Sequence, residues 1–376
     1  APFAAVTVAG SLTLNDNMDV NGQLTVSGAL DDGGNGLYLF ANADFTGGNL
    51  TASGTAVFDG TTNLTSPAPP GNAFNNVELG TGGTGLVSLT TANQMEIDGT
   101  FTIGNTVDTT LDIDSDTLRV ANSLDLRNLD SFTTAGSTLI FDGGAVQNLW
   151  SAGFALANVT LNGTGLTLQD SLDVDGTLEV SAGTLTDNSQ TMNLAGDVTF
   201  SGTGALAATG TAIFDGATIL TSGSQLFNMV TLAGAADLTA ADAMEVDGQL
   251  SFAGGANLLD ISGQILRVAG HFDLSNLTTF TVTGSTVIFD DGGASQNLTS
   301  ASHSFNHFTV NGAGGVVVQD GLSVLGDLTI DAGTLDAGGN PGYRRRSVLG
   351  GGPKRGSHLC IVGVSYYRCS RHKDAF

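Results

Sequence analysis

The chain has 376 residues, of which 54 are glycine and 6 are proline, and its formal net charge is −25. Eight of its 11 basic residues follow residue 342, so residues 1–340 contain three arginines and no lysine. This acidic surface repels nucleic acid and anionic membranes, and no apolar stretch approaches the roughly 20 residues of a membrane span, so we expect neither nucleic-acid binding nor membrane insertion.

One short element occurs five times along the chain. In each copy apolar residues alternate with polar ones on both sides of a central glycine. This alternation predicts two strands, each with one buried face, and the glycine predicts a bend or a close approach between them. The copies are MDVNGQLTV from Met18 (Gly22), MEIDGTFTI from Met95 (Gly99), LDVDGTLEV from Leu172 (Gly176), MEVDGQLSF from Met244 (Gly248) and LSVLGDLTI from Leu322 (Gly326).

A second element, an apolar strand that ends in Phe-Asp before a glycine-containing turn, occurs four times. Its phenylalanines are Phe58, Phe141, Phe214 and Phe289. We interpret the aspartate after each phenylalanine as a turn former whose side chain bonds its own backbone. In the last copy an extra aspartate, Asp291, follows Asp290, and this unrepeated residue is a candidate metal ligand.

The spacing of both elements defines units of about 75 residues, at approximately 1–57, 58–140, 141–213, 214–288 and 289–340. Short strands, turns rich in glycine and asparagine, and the lack of a linker before residue 340 predict a single all-β array. We expect an elongated parallel β-solenoid, a right-handed β-helix with three or four coils in each unit. Tandem β-sandwich repeats are the alternative.

Alternate units resemble each other most. The stretch that starts at Leu111 matches the stretch that starts at Leu259 position by position, and Arg119 falls on Arg267. Because a catalytic arginine would break the repeat rather than recur in it, we expect these two arginines to serve packing or salt bridges on the outer face.

Residues 297–340, NLTSASHSFNHFTVNGAGGVVVQDGLSVLGDLTIDAGTLDAGGN, resemble the repeats of large secreted bacterial surface proteins, the adhesin-like and autotransporter-passenger-like β-helical proteins. The shared features are an aromatic-Asn strand, a V-x-G-x-L-x-V strand and a GTL-x-x-GG turn. The resemblance extends over the body at 1–340 and implies a secreted protein, extracellular or at the cell surface. It implies no single activity, because such repeats form stalks, adhesins, filaments and enzyme scaffolds alike.

Residues 341–376 depart from the pattern. They contain eight basic residues, one acidic residue and both cysteines of the chain. His358, Cys360, Cys369 and His372 offer four zinc ligands, but their spacing matches no established zinc finger. We interpret the segment as a basic, non-repeat tail that is disordered or read from a shifted frame.

Calcium is the candidate ion for the body. Asp112, Asp114 and Asp116 alternate in DIDSD and resemble the start of a calcium loop, although Thr117 replaces the glycine of such a loop and Ser123 replaces its final glutamate. We favour the simpler interpretation that the same three aspartates form the solvated face of a strand.

A few residues of the body depart from the repeat. Trp150 is the only tryptophan of the chain, and the histidines of the body are His271, His303 and His307. His303 and His307 could share a metal with the aspartates at 290–291, or they could be exposed repeat variation.

Two functions fit these patterns. The first is a non-enzymatic extracellular structural or adhesive protein, a stalk, surface-layer or filament-forming unit that associates with itself end to end or laterally and needs no cofactor apart from calcium. The alternative is a carbohydrate-active enzyme or glycan-binding protein on a β-helix scaffold, acting on cell-surface glycans. The alternative predicts a cluster of non-repeating Asp, His and Trp residues on one face.

Overall fold

The structure is a computed structural model, and it describes residues 1–66, 73–81, 86–104, 108–255 and 257–336. The predicted basic tail at 341–376, with its candidate zinc ligands, lies outside the described residues. The chain contacts group into two compact units, Ala1–Ala207 and Ala208–Phe376. All regular elements in the described parts of both units are β-strands, and no described segment forms a helix capable of crossing a membrane.

Strands β1 to β29 belong to the first unit. In chain order they are Val6–Val8, Ser11–Thr13, Met18–Val20, Leu24–Val26, Ala29–Asp31, Gly36–Leu39, Ala43–Asp44, Asn49–Thr51, Thr55–Phe58, Thr61–Thr65, Asn76–Leu79, Val87–Thr91, Gln94–Ile97, Phe101–Ile103, Thr109–Asp112, Thr117–Val120, Leu124–Asp125, Ser131–Thr133, Thr138–Phe141, Val146–Trp150, Ala155–Leu156, Asn158–Leu161, Gly165–Leu168, Leu172–Val174, Leu178–Val180, Thr184–Thr186, Thr191–Leu194, Val198–Phe200 and Ala205–Ala207.

Strands β30 to β48 belong to the second unit. In chain order they are Thr211–Phe214, Ala217–Thr221, Leu226–Phe227, Met229–Ala233, Asp237–Ala240, Met244–Val246, Leu250–Ala253, Leu258–Asp260, Ile265–Val268, Phe272–Asp273, Thr279–Thr281, Thr286–Phe289, Gln296–Thr299, Ser304–Phe305, His307–Val310, Val316–Val318, Ser323–Val324, Leu328–Ile330 and Leu335–Asp336.

Each unit is a parallel β-solenoid with three strands in a turn. A strand pairs in parallel with the third strand after it, as β1 does with β4 and β30 with β33. Val6 pairs with Leu24 on the next turn, whereas Thr61 pairs with the more distant Ser88, so the turns differ in length. The predicted all-β solenoid is therefore confirmed. Tandem sandwiches would require antiparallel sheets, and every strand pair in the described residues is parallel. The right-handed sense of the coil stays a prediction.

The first unit departs from the three-strand rule at one place. There β9 pairs with β11 and β10 with β12, and an isolated parallel bridge between Phe74 and Ile97 takes the position of the third strand. The ring of Phe74 is buried and packs edge-on against Phe45 and Phe58, with ring centroids 5.8 and 6.0 Å apart. Within the described residues, the buried Phe74 thus occupies the third side of this turn.

The repeat and the three-sided cross-section have different periods. From β13 to β24, and again from β35 to β46, one repeat takes eleven strands, which is two thirds of a turn more than three full turns. The repeated element therefore moves to another side of the solenoid in each copy. In the first unit, the opening strand β3 of one copy shares a sheet with the closing strand β14 of the next, and in the second unit β35 and β47 share a sheet in the same way.

The repeated phenylalanines form part of the core of each unit. Phe58 and Phe141 in the first unit, and Phe214 and Phe289 in the second, are all 0% exposed. Phe289 packs against Phe272 and Phe308, with ring centroids 6.2 and 5.1 Å apart. Burying one such ring stabilises the fold by about 2 kcal/mol. The repeated phenylalanine is therefore a core residue in every copy.

The repeated glycines lie at corners where the preceding turn is in contact with the backbone. A Cβ atom at Gly248 would lie 2.6 Å from the carbonyl oxygen of Asn228, and one at Gly326 would lie 2.7 Å from that of Asn306. A Cβ at Gly22, Gly99 or Gly176 would overlap the corresponding carbonyl. Gly248 also donates its N–H to Asn228 at 2.7 Å. The predicted close approach is therefore correct, and no special backbone angle is needed.

We predict that Gly248→Ala destabilises the second unit by about 1–3 kcal/mol, because a backbone carbonyl must move to admit the methyl group. Urea denaturation followed by circular dichroism measures the change. Gly321→Ala is the matched control, since a Cβ at Gly321 meets no atom within 4 Å. Equal stability of the two variants would contradict the close-approach explanation.

Candidate functional site

The candidate site is formed by Arg127 and Trp150 on the outer side of the first unit. Trp150 ends β20, and its backbone pairs with Asp125 at the end of β17 on the preceding turn. The Arg127 guanidinium carbon lies 4.9 Å from the centre of the Trp150 ring. The Nε and Nη2 atoms of Arg127 donate to both carboxylate oxygens of Asp125, at 2.9 and 2.6 Å. A planar cation is therefore held in place over the indole.

Polar side chains extend this surface along the same sheet. The Nε2 of Gln169 donates to the Oδ1 of Asn148 at 2.8 Å, and these residues belong to the two turns that follow β17. Asp170 is near enough to contribute to the raised pKa of Arg127, whose main cause is the hydrogen bond to Asp125. The same bond lowers the pKa of Asp125. The surface thus combines an aromatic ring, a cation, carboxylates and amides.

The site interrupts the repeat at two paired positions. In the matching copy of the second unit, Asp273 pairs with Thr299 as Asp125 pairs with Trp150. Ser275 there binds Asp273 through both its N–H and its hydroxyl, at 2.9 and 2.6 Å. One copy therefore places an arginine and a tryptophan where the other places a serine and a threonine. Trp150 could be found from its rarity, whereas Arg127 became a partner only when the register brought the two turns together.

The three candidate calcium ligands near residue 114 are used within the protein. Asp112 ends β15 and accepts the N–H of Asp114 at 3.0 Å. Asp116 accepts the hydroxyl of Thr91 and the N–H of Asn93 from the preceding turn, each at 2.8 Å. The strand ends at Asp112, so the other two aspartates lie in a corner and not on the wet face of a strand as the pattern suggested. Within the described ranges no group of three or more His, Cys, Asp and Glu residues is placed to hold a metal.

The aspartate pair at 290–291 has other partners than the sequence pattern suggests. Asp290 accepts a hydrogen bond from the Nη1 of Arg267 on the preceding turn at 3.0 Å. Asp291 accepts the N–H of Gly293 at 3.0 Å. The inserted Asp291 is thus the turn former, because its carboxylate accepts the N–H of the residue two positions later. The repeated Asp290 instead forms an ion pair with the preceding turn. Metal binding by Asp291 stays a prediction.

The other repeated arginine makes the equivalent contact. The Nη2 of Arg119 binds Asp142 at 2.6 Å, and its Nε lies 4.0 Å from Glu96 on the preceding turn. Burial raises the pKa of Glu96, with Asp98 and Asp142 adding to the rise and Arg119 opposing it. The interpretation of Arg119 and Arg267 as salt-bridging residues of the outer face agrees with both contacts.

A recurrent serine–aspartate contact was missed by sequence reasoning. In three copies an aspartate accepts two consecutive backbone N–H groups from the turn before, and the buried serine that starts the corner donates its hydroxyl to a carbonyl beside that aspartate. The pairs are Ser151 with Asp170 in the first unit, and Ser222 with Asp242 and Ser300 with Asp320 in the second. The available signal was a serine before Ala or Gly, followed one turn later by an aspartate.

The histidines of the body do not converge on one point with an aspartate. His303 contacts the carbonyl of Leu277 through Nε2 at 2.9 Å, and its ring packs edge-on against Phe280. His307 accepts the N–H of Asp327 at Nδ1, 3.0 Å away. The suggested metal site shared with the aspartates at 290–291 therefore finds no support in the described residues.

No protein-family model, no curated protein and no solved structure matches this chain. The parallel β-solenoid is accordingly shown by the strand pairing of this chain alone.

We predict that Asp242→Ala lowers the stability of the second unit by about 2 kcal/mol, because two backbone N–H groups lose a charged acceptor. Asp247→Ala is the control, since Asp247 lies in an exposed corner on the same unit. The comparison uses urea midpoints of the two variants and the parent protein. A loss that is the same for both aspartates would exclude a specific role for the corner contact.

Proposed function

We propose that this protein is a non-enzymatic extracellular structural protein, a stalk or surface-layer unit of the kind found in large secreted bacterial surface proteins. The observation that carries the proposal is the mismatch between the eleven-strand repeat and the three-strand turn. Because equivalent residues reach a different side in each copy, the repeat cannot build one continuous binding surface. What recurs in every copy is instead the buried phenylalanine and the corner glycine. These residues pack the core and allow successive turns to stack closely.

The composition supports this location. The body has three basic residues, 35 acidic residues and no cysteine, so it does not depend on the redox state of its compartment. A surface of this charge stays soluble and attracts cations. Calcium binding remains a prediction, and it would have to use carboxylates and backbone carbonyls beyond the corner contacts described above.

Self-association is the second part of the proposal. One edge of β1 and of β2 faces away from the turns that follow, since each strand pairs only with β4 or β5 within the described residues. Beside this edge lies an apolar recess of about 500 Å³ lined by Phe3, Val6, Leu12 and Met18 among others, and Phe3 is 54% exposed. Unpaired parallel edges accept further strands. We propose that the chain associates with itself, and a further parallel turn of β-solenoid would pair along this edge.

We predict that inserting a second copy of residues 244–321 before Leu322 lengthens the second unit by about 18 Å, measured by negative-stain microscopy. The inserted segment adds the 11 strands from β35 to β45, and each turn of three strands rises about 4.8 Å. Filaments longer than one chain, increasing with protein concentration, would support end-to-end association. Compact particles, or an insertion that leaves the length unchanged, would contradict a stalk.

A second function is favoured by the Arg127–Trp150 site. A half-buried aromatic ring such as Trp150, beside amide and carboxylate groups, has the usual chemistry of sugar recognition, in which the ring contacts the apolar face of the sugar and polar groups bind its hydroxyls. Since Asp125 neutralises Arg127 and Asp170 adds a negative charge, the site favours a neutral glycan over an anionic one. This is glycan binding on a β-helix, without a catalytic step.

We predict that neutral hexasaccharides of glucose, mannose or N-acetylglucosamine change the fluorescence of Trp150, which reports on this site alone because the chain has no other tryptophan. Trp150→Thr and Arg127→Ser install the residues of the matching copy and should weaken binding at least about tenfold by calorimetry. Binding that both variants retain would place the glycan elsewhere, and no binding by the parent protein would remove this second function.

A further inference from the structure

Two histidines of the second unit accept backbone hydrogen bonds from the turn that follows. The Nδ1 of His271 accepts the N–H of Asn297 at 2.9 Å. The Nδ1 of His307 accepts the N–H of Asp327 at 3.0 Å. Only an unprotonated ring nitrogen can accept such a bond, so both contacts require neutral imidazole.

The first unit makes the same contacts with side chains that do not titrate. At the position of His271 it has Ser123, whose hydroxyl oxygen accepts the N–H of Asn148 at 2.9 Å. At the position of His307 it has Asn158, whose Oδ1 accepts the N–H of Thr177 at 2.9 Å. The first unit contains no histidine at all. The two units therefore share one contact geometry and differ in whether a proton can disrupt it.

The third histidine in the described part of the second unit, His303, provides an internal contrast. His303 meets the carbonyl oxygen of Leu277 through Nε2, so the ring is the donor in this contact. Protonation leaves an Nε2–H in place, and the bond persists with added charge. Acid therefore removes two of the three histidine contacts and keeps the third.

The charged groups around His307 partly offset the loss. The carboxylate Oδ2 of Asp327 lies 3.6 Å from Nδ1, and Thr286 on the preceding turn is uncharged. A protonated Nδ1 can turn from the N–H of Asp327 to its carboxylate, which keeps the two turns in contact while the backbone bond is lost.

His271 has no such alternative. The charged residues on the strands and loops packed around it are Asp247, Arg267, Asp273, Asp290 and Asp291. Among them Arg267 and Asp290 bind each other, Asp273 binds Ser275, and Asp291 binds Gly293. Within the described residues no carboxylate oxygen lies within 4.0 Å of a His271 ring nitrogen. We therefore expect acid to weaken the His271 contact more than the His307 contact.

We infer that the second unit carries an acid-sensitive release of turn-to-turn contacts at His271 and His307, and that the first unit lacks it. Protonation of either Nδ1 breaks its contact, because a protonated ring nitrogen is a donor and cannot accept the N–H of the next turn.

The test is hydrogen–deuterium exchange of the full chain at pH 7.5 and pH 5.5, read by mass spectrometry and corrected for the intrinsic pH dependence of amide exchange. In the parent protein, protection of the peptide that contains Asn297 should fall about fivefold at pH 5.5, and that of the peptide with Asp327 should fall less. Peptides with Asn148 and Thr177 in the first unit should keep their protection.

The repeats themselves provide the matched variants. His271→Ser and His307→Asn, combined in one protein, place the residues of the first unit in the second and should remove the acid response while leaving the circular dichroism spectrum at pH 7.5 unchanged. His303→Gln should retain the response. Equal protection of the parent protein at both pH values, or an acid response that persists in the double variant, would overturn the inference.

Discussion

The fold depends on the hydrogen bonding of each turn to the turns beside it. The strands that pair between neighbouring turns are parallel, so the carbonyls of one turn lie against the backbone of the next. The corners leave little room for side chains. Polar groups at the corners and on the buried faces of strands must therefore find hydrogen-bond partners within the protein. The buried Gln147 illustrates this requirement: its Nε2 donates to Val120 and Asn122, and its Oε1 accepts the N–H of Gly143. The serine–aspartate and histidine contacts satisfy the same requirement.

The difference between an eleven-strand repeat and a three-strand turn determines where a function can reside. A motif that recurs once in every repeat lies on a new side of the solenoid in each copy. Repeated core residues are therefore still buried, whereas repeated surface residues do not form one continuous face. A surface site has to be a departure from the repeat. Arg127 and Trp150 are such a departure, because they change together across one strand pair and add chemistry that the matching copy lacks.

Strand class, corner glycines and core phenylalanines could all be predicted, because each depends on local alternation or on a spacing that the chain repeats. The roles of Asp290 and Asp291 could not. Both are preceded by the same strand, and only the position of Arg267 on the turn before decides which carboxylate forms the ion pair. Asp116 was misplaced for a similar reason, since its partners Thr91 and Asn93 lie on the preceding turn, far away along the chain, and leave no local signal.

The sequence by itself determined that the chain is all-β, that it is built from repeated units of similar length, and which side of each strand is buried. These properties follow from side-chain alternation and from the local demand of a core. The tertiary structure alone decided which residues meet. Partners lie on successive turns whose lengths vary along the chain, so neither the ion pairs, the Arg127–Trp150 stack nor the histidine contacts have a fixed spacing that a sequence pattern could reveal.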